Sequence, residues 1–240
     1  MKIPMMCTTC FQNGQDGVKS VESIDLNDTG RFKLICKNGH TTIVFLNHQK
    51  FQILFEIGIN AIIDGYYREA VSSFTSSLER FYEFFSKVIC ITRGIEWTAI
   101  EDTWNSVSKQ SERQIGAFIF LYLLEFRNKP SLLPNNKIEF RNNVIHKGEI
   151  PSREKAIAYG QAVLDVIRPL LISLRTTYEY GTDQLTSINL RKNIGDEDKD
   201  VKKTSLTQGL VLSLSVEDPT YYEEPLNDII ERIKSYRPKS

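Results

Sequence analysis

The stretch YREAVSSFTSSLERFYEFFSKVI, residues 67–89, decides how the rest of the chain is read. Its apolar side chains fall at Tyr67, Ala70, Val71, Phe74, Leu78, Phe81, Phe85, Val88 and Ile89. Spacings of three and four put them on one stripe of an α-helix, and so broad a stripe has to be covered by other helices. The covering partners lie on both sides. Phe51 to Ile63 is a second helical segment, ended by Asp64-Gly65. Downstream, Ile115, Phe118, Ile119, Tyr122, Leu123 and Phe126 repeat the spacing, until Lys129-Pro130-Ser131-Leu132-Leu133-Pro134 imposes a loop through its two prolines. A short helix is expected over Ile138 to Lys147, with Gly148 at its end. Ser152 is placed to cap a long helix carrying Ile157, Val163, Leu164, Ile167, Leu170, Leu171 and Leu174, in which Pro169 predicts a kink. Helices of this length and pattern form a bundle, so the chain reads as mainly α, with the bundle over residues 49–178.

The two flanks read differently. Residues 1–48 hold turn signals such as Asn13-Gly14, Asn27-Asp28-Thr29-Gly30 and Asn38-Gly39 between short strand-like runs, Arg31 to Cys36 and Thr42 to Leu46. Cys7-Thr8-Thr9-Cys10 and Cys36-Lys37-Asn38-Gly39-His40 form two knuckles that together supply three thiolates and an imidazole. That donor set suits one tetrahedral zinc ion, and its being complete in protein ligands implies a closed, structural site. The segment is too short and polar to bury a core of its own, which a metal compensates. We therefore expect a small β zinc ribbon with Cys7, Cys10, Cys36 and His40 as ligands. His48, past the second strand-like run, is a poorer candidate, and Cys90 is expected as a buried core residue. Residues 179–240 read as a short α/β extension. It comprises a charged loop over Arg191 to Lys203, a strand over Gly209 to Val216 and a closing helix over Pro225 to Tyr236.

Bulk properties narrow the function classes. Of 240 residues, 30 are Lys or Arg and 30 Asp or Glu, so the chain is no bulk polycation, and any nucleic-acid contact has to be a local patch. Neither a transmembrane span nor a signal peptide is evident, and the cysteines sit in metal-like spacing, so a reducing, cytoplasmic setting without membrane contact is expected. Walker, dinucleotide-fingerprint and nucleophile-elbow motifs are absent from the sequence. Phe81-Tyr82-Glu83-Phe84-Phe85 has the spacing of core packing rather than of a base-stacking platform, and Trp97 and Trp104 are expected in the core or at its rim.

One further run carries chemistry: Arg141-Asn142-Asn143-Val144-Ile145-His146-Lys147-Gly148. There are three histidines, and with His40 given to metal, His146 is the main candidate for proton transfer near neutral pH. Asn142 and His146 are four residues apart and share a helix face, with Arg141 beside them. A guanidinium can hold a phosphate and offset its developing charge, while an imidazole moves protons. Lys147 adds a second cation. The spacing by itself favours the plainer reading, a structural Arg and His at a helix end.

The run and its flank, Arg141 to Ala156, resemble the signature of the HEPN superfamily (higher eukaryotes and prokaryotes nucleotide-binding). That signature is an Arg, often followed by Asn, with a His four to six residues on, and the H-x-G-x-I-P continuation is similar to members of abortive-infection and toxin type. The resemblance spans roughly residues 49–174 and is sharp over 141–156. It implies a helical bundle that pairs two-fold as a homodimer, with two motif copies facing one cleft to make a metal-independent endoribonuclease. Arg141 and His146 would be catalytic, Asn142 assisting, and Lys147 an RNA contact. Single-stranded RNA or tRNA would be the substrate, the setting antiviral defence or toxicity, and a regulatory protein a possible partner. An acidic residue on an earlier helix supports the site in some related proteins. Glu79 is the candidate here, against its plain reading as a solvated helix residue. Where one subgroup carries a modified Tyr two residues after the His, this chain has Gly148. Two other readings stand beside this one: a non-catalytic HEPN binding or scaffold module with the zinc ribbon as reader, and a zinc-ribbon accessory factor acting on DNA.

Overall fold

The structure is a computed structural model and describes residues 2–14, 21–194, 201–206, 209–215 and 223–236. The chain is mainly α with a small β portion, and it divides into two compact units: residues 1–49 with 186–209, and residues 50–185 with 210–240. The segment 179–240 is thus shared between them rather than standing apart.

In the first unit, β1 (Lys2–Met6) pairs antiparallel with β2 (Val21–Asp25), Ile3 opposite Ile24, and α1 (Thr8–Gln12) lies between them in sequence. A second sheet joins β3 (Arg31–Ile35) and β4 (Thr41–Leu46) antiparallel, Arg31 opposite Phe45 and Ile35 opposite Thr41. The turn between them is closed by Gly39, which sits at φ +76° where a side chain would be strained. From the far end of the chain β5 (Lys202–Leu206) adds parallel to β4, Thr42 opposite Lys202. The expected charged loop over 191–203 is therefore corrected at both ends. Residues 191–194 complete a helix, Lys202 and Lys203 enter a strand, and 195–200 fall outside the described residues.

The second unit is built on α3 (Tyr67–Thr92), the helix read from the opening stretch. α2 (Lys50–Ile63), α5 (Ser111–Phe126), α6 (Asn135–His146) and α7 (Arg153–Thr176) all pack on it. The core is rich in aromatic pairs: Phe51 meets Phe81 edge-on at 5.1 Å between centroids, and Tyr82 stacks on Phe118 at 4.3 Å. Ser152 caps α7 as its position predicts, accepting from the Lys155 N–H, and the helix runs through Pro169 to Thr176. α7 is the one helix among the described residues long and apolar enough to cross a membrane, and 56% of its apolar window is buried inside the protein.

α4 (Trp97–Val107) and α8 (Glu179–Ile194) were not foreseen, while α9 (Leu226–Tyr236) matches the expected closing helix. The strand expected over 209–216 is not there among its described residues, 209–215. Leu210, Val211 and Leu212 instead form a turn-rich segment that plugs the helical core. Two buried polar side chains of α2 hold it. Gln52 Nε2 donates to the Leu212 carbonyl at 2.6 Å, and the Val211 N–H donates to Glu56 Oε1 at 2.7 Å. Two of its backbone groups, the Val211 N–H and the Leu212 carbonyl, are thus satisfied by side chains rather than by a partner strand. Cys90 is half-buried rather than buried.

Candidate metal centre and candidate catalytic cavity

Cys7 precedes α1, Cys10 sits within it, and Cys36 and His40 bracket the tight turn between β3 and β4. That turn is fixed by Gly39 N–H to Cys36 O at 2.8 Å and Cys36 N–H to His40 O at 3.1 Å. The four donor atoms lie within 4.8 Å of one another, and the three thiols are buried. Tetrahedral zinc, with Zn–S of about 2.3 Å and Zn–N of about 2.0 Å, requires S···S of about 3.8 Å and S···N of about 3.5 Å. Cys10 and Cys36 sulfurs are 3.7 Å apart, and His40 Nδ1 lies 3.9, 3.3 and 3.6 Å from Cys7, Cys10 and Cys36. The donor set and its spacing therefore fit a metal ion of this kind. Asn38 Nδ2 donates to Cys10 Sγ at 3.3 Å, the outer-shell contact expected around a thiolate ligand. Burial pushes the Cys36 thiol up, but N–H groups of Asn38 and His40, with the Cys7 and Cys10 thiols, bring it down to about 7. His48 lies outside the cluster, and burial lowers its imidazole to about 4.

The second site lies wholly in the helical unit. α6 is polar over most of its surface, and its one fully buried side chain, Val144, anchors it in the core. Phe140 adds a ring contact to Tyr159 of α7 at 5.9 Å. With the helix so fixed, Arg141 faces α3. Its Nη2 donates to Glu79 Oε1 at 3.1 Å, while Nη1 donates to Asn142 Oδ1 at 2.9 Å. The Arg141 and Glu79 side chains are 22% and 25% exposed, which strengthens the pair relative to a surface one yet leaves the guanidinium reachable from solvent. The helix ends at His146. Lys147 and Glu149 N–H groups both donate to the Asn143 carbonyl at 3.1 Å, and Gly148 takes φ +75°. This termination leaves His146 and Lys147 exposed, and the His146 side chain makes no hydrogen bond among the described residues.

All five of these side chains, Glu79, Arg141, Asn142, His146 and Lys147, line one cavity of about 510 Å³. Glu79, a guess at the level of sequence, is in direct contact with Arg141. The sequence did not point to the rest of the wall: Thr75 and Tyr82 from α3, Glu112 from α5, Leu132 and Leu133 between the prolines, and Tyr159. Tyr159 is fully buried, and its hydroxyl lies 2.8 Å from Thr75 Oγ1. Because Thr75 donates to the Val71 carbonyl, Tyr159 is the donor in that pair. These residues come from four separate stretches between positions 75 and 159, and no single local pattern links them.

Fold and sites together define a mainly helical protein with a Cys3His cluster suited to a metal ion and an arginine–histidine cavity in its bundle. Compared with known proteins, the chain matches no family model, no curated relative and no solved structure.

Proposed function

We propose that this protein is a metal-independent endoribonuclease of HEPN type, working as a two-fold pair, with a structural zinc ion in its β unit. The observation that carries the reading is the convergence of Arg141, its partners Glu79 and Asn142, and an unengaged His146 on one cavity. Glu79 accepts from Nη2 and Asn142 from Nη1, and together they hold the plane of the guanidinium. The N–H groups that remain are available for two phosphate oxygens. A neutral His146 imidazole takes the proton from a ribose 2′-hydroxyl. The 2′-oxygen attacks phosphorus, the O2′–P bond forms, and the P–O5′ bond breaks. The 5′-oxygen leaves with a proton from the imidazolium of the second copy, so the products are a 2′,3′-cyclic phosphate and a 5′-hydroxyl. One protomer offers one such imidazole and the reaction uses a base and an acid, which is why a pair is invoked. Phe120, Leu123 and Leu124 of α5 are exposed and supply an apolar face for pairing. Unpaired RNA is the substrate class, because its backbone reaches in-line geometry freely. Defence against infection or toxicity to the host cell is the setting the resemblance suggests.

The test is incubation of the wild type and His146→Ala with total RNA and no added divalent metal. The wild type should cut, and the variant should lose about 10²–10⁴-fold of the rate with an unchanged helical circular dichroism spectrum. A variant that cuts as well as the wild type overturns the proposal.

A further inference from the structure

The cavity beside Arg141 is larger than a phosphate needs. Its 510 Å³ falls within the roughly 300–1,000 Å³ typical of sites that enclose small organic molecules. Its walls are largely apolar, with Leu78, Tyr82, Ile115, Leu133 and Tyr159 contributing. Apolar and aromatic walls beside a phosphate-binding edge suit the flat ring of an unstacked base. Two of the polar wall groups are already committed: Glu79 holds Arg141, and Tyr159 donates to Thr75. Glu112 is not. It is an exposed residue in the first turn of α5, and its carboxylate makes one long contact among the described residues, from Ser111 Oγ at 3.4 Å. A carboxylate is acceptor-only, with lone pairs to spare here.

We propose that the cavity is a base-recognition pocket for an unpaired guanine, read by Glu112, with the guanosine 3′-phosphate seated at Arg141 and His146. This deepens the ribonuclease reading and rests on it. A carboxylate accepts two parallel N–H donors, and guanine presents such a pair, N1–H beside the N2 amino group. Uracil places its N3–H between two carbonyls. Adenine and cytosine place their amino group next to a ring acceptor. Each of those three sets a lone pair against Glu112. Cleavage then falls on the 3′ side of guanines, and the base pocket fixes which phosphate reaches the imidazole.

The experiment is calorimetric titration of the full chain with 3′-GMP, 3′-AMP, 3′-CMP and 3′-UMP, alongside sequencing of the ends produced from total RNA. For the wild type, 3′-GMP should bind about tenfold or more tighter than the other three, the scale of one good bidentate contact. Product 3′ ends should be enriched in G. Glu112→Gln replaces one acceptor by a donor at an exposed position, and it should level the four affinities and erase the G enrichment. Equal affinities in the wild type, no binding of any of the four, or a preference that survives in Glu112→Gln each overturns the inference. If cleavage still depends on Arg141 and His146 in those cases, the ribonuclease reading stands without it. A guanine preference lost in Glu112→Gln but accompanied by no RNA cleavage sustains the pocket and removes the ribonuclease reading instead.

Discussion

Glu79 accepts from Arg141 Nη2 at 3.1 Å across the cavity wall. Its ion pair with Arg141 is partly solvated, so removing it should cost about 1 kcal/mol or less of stability. On the proposed function, however, Glu79 sets the angle of the guanidinium, and misplacing a phosphate-binding group by about 1 Å is enough to cost roughly 10²-fold in rate. Glu79→Gln is therefore expected to lower kcat by up to about that factor while Tm stays within a few degrees. Glu79→Asp should recover part of the rate. A Gln variant with unchanged kcat removes Glu79 from the site. At this scale the sequence was informative where residues are near neighbours. Arg141, Asn142 and His146 could be placed on one helix face because they lie within two turns of each other. Glu79 lies 62 positions upstream of Arg141 and Glu112 gives no local signal. Only the packing of α5 and α6 on α3 brings them to the same cavity.

Long elements with a continuous apolar stripe were the legible ones. α3 and α7 each bury one continuous stripe, and their apolar spacing alone located them. α8 has no such stripe, being polar on most sides, and it gave no periodic signal to read. Residues 209–216 failed for the opposite reason. Alternating Leu, Val and Ser has the period of a strand, but Gln52 and Glu56 of α2 take up two of the backbone groups a neighbouring strand would have used. Close approach of elements is equally invisible locally. Gly160 lets α7 meet α3 and α9, and a Cβ there would stand 2.6 Å from both Phe74 and Leu226 side chains. Gly160→Ala should destabilise the helical unit by about 1–3 kcal/mol through overpacking, read as a lower urea midpoint. An unchanged midpoint would mean that Phe74 and Leu226 move aside freely. On the proposed structural zinc at the Cys7–Cys10–Cys36–His40 cluster, the ribbon elements of the β unit depend on the metal. Purified chain should carry about one zinc ion by elemental analysis, given the tetrahedral Cys3His donor set. Chelation should abolish hydrogen-exchange protection across Arg31–Leu46 and spare Tyr67–Thr92. Full protection of the ribbon after metal removal would contradict a structural role.

For the molecule as a whole, the buried Glu56 sets a pH dependence of opposite sense to ordinary acid unfolding. Burial raises its carboxyl from 4.5 to about 7, against the Val211 N–H and the nearby Arg232, which both lower it. Between those two values the folded chain holds a proton that the unfolded chain has released, so this group's contribution to stability is lost as pH rises toward 7. Glu56→Gln keeps an acceptor for the Val211 N–H and has no charge to bury. It should flatten the fall in stability between about pH 5 and 8 and melt higher than the wild type at pH 8. A wild-type-like slope in the variant assigns the dependence to other groups. On the proposed function, the Arg141–His146 cavity cleaves RNA through the ribose 2′-hydroxyl. The most direct measurement is mass spectrometry of the 3′ ends left on a single-stranded RNA oligonucleotide incubated without added divalent metal. The wild type should leave 2′,3′-cyclic phosphates, and neither Arg141→Ala nor His146→Ala should leave any above background. Ends bearing a 3′-hydroxyl, or cyclic phosphates produced equally by the two variants, would contradict the account.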